Sequence, residues 1–209
     1  MLEGELVNPS FSIIPLVNTG AFYAGNDTTI HTVVNGDVLH FTDGTYFVFV
    51  AKGTSWYNSN TPMRAGMYGC FASGHIQSEV GARVFIVQAT KYDGMRLFGG
   101  PVEQVGRLKY IDGCTDSLLI PPVRKGDPCL NHLHFPIGIN QTMHTHPSIR
   151  IGLVYRGAGD CITPWGMCPL EELTACFRWR ISSKACSKNQ RVWMKSVTDC
   201  RWKPKKLLD

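Results

Sequence analysis

Along the first half of the chain, apolar residues come in short runs punctuated by turn residues. The run TYFVFVAKG (residues 45–53) is continuously apolar between Asp43-Gly44 and Gly53, which predicts a strand buried on both faces. GARVFIVQATKY (residues 81–92) predicts a second such strand, rich in β-branched and aromatic positions. TIHTVVNGDVLHF (residues 29–41) alternates loosely and breaks at Asn35-Gly36-Asp37, a hairpin signal. The glycines of MRAGMYGCFASGH (residues 63–75) are read as corners, with His75 a candidate ligand at the end. His31 and His40 are read as ordinary strand or surface histidines. Residues 1–20, broken by Pro9 and Pro15, predict an arm or edge strand.

A second series of strands starts near Arg107: RLKYI, SLLIPP, CLNHLHF, then TMHTHPSIRIGLVYRG after a PIGIN turn. Strands at this spacing argue for a barrel or double sheet, and two series in succession argue for a duplicated all-β architecture. The pattern divides the chain into an arm (1–20), a first β domain (21–100), a second (101–166) and a tail (167–209). The tail loses the strand rhythm. Leu170, Leu173, Phe177 and Ile181 fall at helical spacing, so an irregular or short helical tail is expected.

Composition sharpens this division. Twenty-one glycines and twelve prolines suit short strands and tight turns. The net charge of +5 belongs to the tail: from Arg178 onward ten Lys/Arg face two Asp/Glu, a balance of +8, against −3 before it. A basic tail could attract nucleic acid; a solvated tail is the blander reading, and nucleic acid is not taken as a partner. Five of the eight cysteines crowd the last fifty residues without a C-x-x-C pair, so a structural zinc motif is not indicated. No apolar run is long enough for a spanning helix, so no membrane partner is expected. The N-terminus lacks a secretory pattern, which points to a cytoplasmic address and mostly reduced thiols.

The chemistry concentrates in residues 138–157, GINQTMHTHPSIRIGLVYRG. His144 and His146 stand one residue apart, so on a strand both imidazoles share a face, a spacing suited to a divalent metal. His132 and His134 repeat the arrangement on what reads as the neighbouring strand. If their face points inward, four imidazoles converge on a metal. If it points outward, His144 and His146 remain beside Arg150, whose guanidinium repels a dication and suits an anion or sugar, with Tyr155 further along the strand.

This stretch resembles the first signature of the cupin superfamily, G-x5-H-x-H-x3,4-E-x6-G. Gly138, His144, His146 and Gly157 fall at the required spacing, and Arg150 stands where the family has its metal-binding glutamate. The second signature, G-x5-P-x-G-x2-H-x3-N, is missing after Gly159. A degenerate copy occurs earlier, with Gly66 followed by Ala72-Ser-Gly74, Gln77 at the histidine position and His75 two residues early. The resemblance implies a double-stranded β-helix (jelly-roll) barrel, duplicated as in bicupins. It also implies a site for Fe, Mn, Zn or Ni held by histidines, a small-molecule ligand, and a homodimer. Residues after about Met167 would then replace the closing strands of the second barrel, as a truncation or shifted reading frame does. Three functions stay open: a metal-dependent dioxygenase, isomerase or lyase; a non-catalytic binding or sensor module; a structural protein that has lost the site. No G-x-S-x-G or G-x4-G-K-[ST] supports a serine hydrolase or a P-loop enzyme.

Overall fold

The computed structural model describes residues 11–142, 149–163, 166–178, 193–195 and 201–204. They form strands and a single 3-10 turn, Ile111–Gly113. In chain order the first strands are β1 (Phe11–Pro15), β2 (Gly20–Gly25), β3 (Thr28–Val34), β4 (Val38–Phe41) and β5 (Thr45–Lys52). There follow β6 (Thr54–Tyr57), β7 (Thr61–Arg64), β8 (Tyr68–Phe71), β9 (Gly74–Ser78), β10 (Arg83–Ala89) and β11 (Leu97–Gly99). Then come β12 (Leu108–Lys109), β13 (Thr115–Ile120), β14 (Leu130–His134), β15 (Arg150–Val154) and β16 (Gly159–Thr163). The last are β17 (Gly166–Leu170), β18 (Thr174–Arg178), β19 (Trp193–Lys195) and β20 (Arg201–Pro204). The chain divides into two compact units, residues 15–103 (the first unit) and residues 104–209 with 1–14 (the second).

In the first unit a six-stranded sheet, β11-β8-β5-β10-β3-β2, accompanies a four-stranded one, β4-β9-β6-β7. The two apolar runs are its central strands: β5 is buried from Thr45 to Ala51, and β10 from Val84 to Ala89. They pair antiparallel with Ile86 opposite Val48. The core gathers Val48, Val50, Val84 and Ile86 of the larger sheet with Tyr57, Met63 and Ile76 of the smaller. Each such side chain contributes about 1.5–3 kcal/mol of burial.

The expected hairpin at Asn35-Gly36 is corrected by the sheet order. The turn forms, with Asn35 and Gly36 at positive φ and Asp37 N donating to Val34 O. Its two flanks part, however: β3 pairs with β2 and β10, whereas β4 pairs with β9. The turn is a corner between sheets.

In the second unit a seven-stranded sheet, β1-β18-β15-β19-β14-β13-β12, accompanies a three-stranded one, β17-β16-β20. Where the sequence spacing predicts a helix, β18 pairs antiparallel with β15, Cys176 opposite Gly152. Leu170 ends β17, and Leu173 sits in the intervening turn at φ +60, so the helical spacing joined residues of two strands. Among the described residues, no helix is long and apolar enough to cross a membrane.

Candidate functional site

The two units differ in what they bury. In the first, the core is closed by aromatic rings: Tyr57 stacks on Phe71 at 4.0 Å, and Phe41 on Tyr46 at 4.2 Å. The second unit holds the buried charged residues found among those described, Asp116, Asp127 and Arg150. Removing an ion from water costs several kcal/mol even after relaxation, so polar interior positions of this kind draw attention to that unit.

Register decides which of these side chains share a face. Through β19, Leu130 and Ile151 are level with the same residue, Met194, and Arg150 with Trp193. Alternation then sets Arg150, Gly152 and Val154 on one face with Asn131 and Leu133, and sets His132 and His134 on the other, with Tyr155. The Arg150 face is the core face, since Val154 packs with Cys161, Cys168, Leu170 and Cys176. The expectation that β14 neighbours the signature strand is corrected: β19 lies between β14 and β15. His132 and His134 are half-buried, and His134 Nδ1 is buried without a hydrogen-bond partner among the described residues. His144 and His146 lie outside the described residues.

On the core face, Asn131 Nδ2 donates to both carboxylate oxygens of Asp116 at 3.0 Å, and Cys129 Sγ donates to Asn131 Oδ1 at 3.2 Å. Asp116 and Asn131 were not singled out from the sequence, because their meeting depends on the pairing of β13 with β14, which sets Asp116 opposite Leu133 and Leu118 opposite Asn131. Arg150, only 8% exposed, is buried on this face. Tyr155 lies under the Arg156 guanidinium, 4.9 Å from the ring centre.

Among the described residues no group of three or more His, Cys, Asp or Glu is arranged to hold a metal. Of the four histidines, His132 and His134 lie on the face opposite Arg150, and Arg150 brings fixed positive charge to the glutamate position.

A second polar chain occupies the inner face of the first unit. Gln88 Nε2 donates to Asp43 O and Oδ1, both at 3.0 Å, and Gln88 Oε1 lies 2.9 Å from His31 Nε2. With the amide nitrogen committed to two acceptors, Oε1 accepts, so His31 carries its proton on Nε2 and exposes a lone pair on Nδ1. Burial holds His31 below its ordinary value of 6.5, partly offset by the Gln88 bond. Between the folded value and 6.5 the unfolded chain holds more protons, so stability falls as pH drops through that window. His31→Gln removes the titration. The gap in urea midpoint between wild type and variant is expected to narrow from pH 7.5 to pH 5.0, and a constant gap contradicts the assignment.

The cysteines divide as well. Cys70, Cys114, Cys129, Cys168 and Cys176 are thiols, whereas Cys161 is disulfide-bonded. Burial pushes the Cys70 thiol up to about 12. Burial and the neighbouring Cys168 push Cys176 up too, so both are poor nucleophiles.

No protein-family model matches the chain, and no curated protein matches it in sequence. Solved structures do. A Pseudomonas aeruginosa protein named for induction by glyoxylate superposes with a TM-score of 0.57 at 11% identity, covering 82% of this chain and 80% of its own. A cupin 2 conserved barrel domain protein from Leptotrichia buccalis gives 0.48 at 9% identity over 81% and 83%. Protein Ylba from E. coli gives 0.44 at 12% identity over 83% and 86%. The chain has the cupin fold.

The glycines that frame the signature stretch take the left-handed region, Gly138 at φ +78 and Gly157 at φ +85, and a Cβ on either would meet no atom within 4 Å. They serve the backbone path, not a close approach. The described part of the signature strand thus fits the cupin pattern in its turns while departing from it at Arg150.

Proposed function

We propose that this cupin binds a small anionic molecule, a carboxylate, on the core face of its second unit, with Arg150 as the receiving cation. The observation that supports the reading is the burial of Arg150 on the same face as Asp116 and Asn131. A planar guanidinium matches a carboxylate through two parallel hydrogen bonds, and a desolvated setting strengthens them. The function is that of a binding or sensor module.

Thermal unfolding of the full chain with malonate tests this. A ligand bound only by the folded state at one hundred times its Kd adds about 2.7 kcal/mol, so malonate is expected to raise Tm by several degrees while glucose leaves it unchanged. Arg150→Lys, which keeps the charge but loses the fork, is expected to lose most of the shift, and Arg150→Ala all of it. A malonate shift that survives in Arg150→Ala sinks the proposal. A shift that appears only with Fe2+ or Mn2+ and vanishes in His144→Ala returns the site to the metal reading.

A further inference from the structure

We propose that His40 and His75 form a site for one divalent transition-metal ion, Cu2+, Ni2+ or Zn2+, on the outer face of the four-stranded sheet. The inference is independent of the carboxylate reading, which concerns the other unit.

The two histidines are directly opposite one another on antiparallel strands β4 and β9. Their neighbours Leu39, Phe41 and Ile76 face the core, so alternation turns both imidazoles to the outer face, where His40 is exposed and His75 half-buried. Their ring centres are 5.3 Å apart, with planes at 38°. The separation is close to what a shared ion demands. A metal–nitrogen bond of about 2.0–2.1 Å sets each ring centre about 3.2 Å from the ion, so the centres stand about 4.5 Å apart at the right angle of Cu2+ or Ni2+ and about 5.2 Å apart at the tetrahedral angle of Zn2+. Imidazole pairs favour Cu2+, Ni2+ and Zn2+ over Mg2+ or Ca2+, which prefer oxygen.

His75 is also held in place before any ion arrives. The turn joining β6 to β7 places Asn58 and Ser59 at positive φ, and Asn58 clamps the His75 backbone from both sides. Asn58 N donates to His75 O at 3.1 Å, and His75 N donates to Asn58 Oδ1 at 3.0 Å. Gly74 permits this approach, since a Cβ there would lie 2.3 Å from Asn58 Oδ1. Ser59 Oγ lies 2.9 Å from His75 Nε2. When Ser59 Oγ accepts from Nε2–H, the lone pair stands on Nδ1, the arrangement by which an outer partner fixes the tautomer of a metal-ligating histidine. With two protein ligands, water completes the coordination, and the site stays accessible to a further ligand.

Isothermal titration of the full chain with Ni2+ tests the site, in wild type and in a His144→Ala/His146→Ala background that removes the signature histidines. Binding of one ion is expected in both. His40→Ala or His75→Ala is expected to weaken it at least about tenfold, and Ser59→Ala, which keeps both ligands, by about tenfold, with circular dichroism unchanged. Paramagnetic broadening by Ni2+ should centre on β4 and β9. Loss of all Ni2+ binding in the His144/His146 background overturns the proposal, as does binding that His40→Ala and His75→Ala leave unchanged.

Discussion

Phe71→Ala is expected to destabilise the first unit by about 3–5 kcal/mol, the range for deleting a buried aromatic ring and leaving its cavity. Phe71 is 1% exposed and meets Tyr57 at 4.0 Å, Phe41 at 6.2 Å and Phe98 edge-on at 5.6 Å. Tyr57 is itself fixed, with Oη donating to Ser73 O at 2.8 Å, and Phe41 stacks on Tyr46, whose Oη accepts from Thr42 N at 3.2 Å. Collapse into the vacated volume would break hydrogen bonds, so little relaxation is available. A domain's whole stability is about 5–15 kcal/mol, and the loss is large against it. Urea unfolding, with hydrogen exchange of the β5 and β10 amides reporting on the first unit, measures it. Phe98→Ala, at a ring 39% exposed, is the comparison; equal losses from the two would show that the stack is not the centre of this core.

The second large effect is expected at a glycine. Gly44 sits at φ +71, and a Cβ there would lie 2.3 Å from Ala89 O and 2.5 Å from Thr90 Cα, both backbone atoms. Gly44→Ala must therefore shift the start of β5 away from the end of β10, where Thr45 and Ala89 pair. A loss of about 3 kcal/mol is expected, since strain and displaced backbone add. Gly36 provides the control: it too has positive φ, at +96, but nothing lies within 4 Å of its Cβ. Gly36→Ala should cost only about 1 kcal/mol, the conformational part alone. Matching urea midpoints for the two variants would refute the steric account.

What could be read from the sequence follows from what is local. Strands β5 and β10 were legible because burial on both faces writes itself as an uninterrupted apolar run. The Asn35-Gly36 turn was legible because positive φ selects those residues. That β3 and β4 leave it for different sheets was not, because their partners β10 and β9 lie far along the chain. β18 was read as helix because Leu170, Leu173 and Phe177 happen to fall at helical spacing, while pairing with β15 decides the matter. At the candidate site, Arg150 announced itself as a departure from a spaced pattern. The Asp116–Asn131 contact could not, since it is a diagonal between β13 and β14 that only the pairing of the two strands defines. The approach of His40 to His75 was hidden for a related reason, as each alone reads as an ordinary strand histidine.

The glycines at the two ends of the signature carry one more consequence. Gly138 and Gly157 have positive φ and open space where a side chain would stand. What those positions select is handedness, not size. Residues of mirror-image chirality, D-alanine for instance, meet that requirement, since the backbone region is their natural one. The spacing by which the signature is recognised is in this sense a record of where the chain must turn against the hand of its own building blocks.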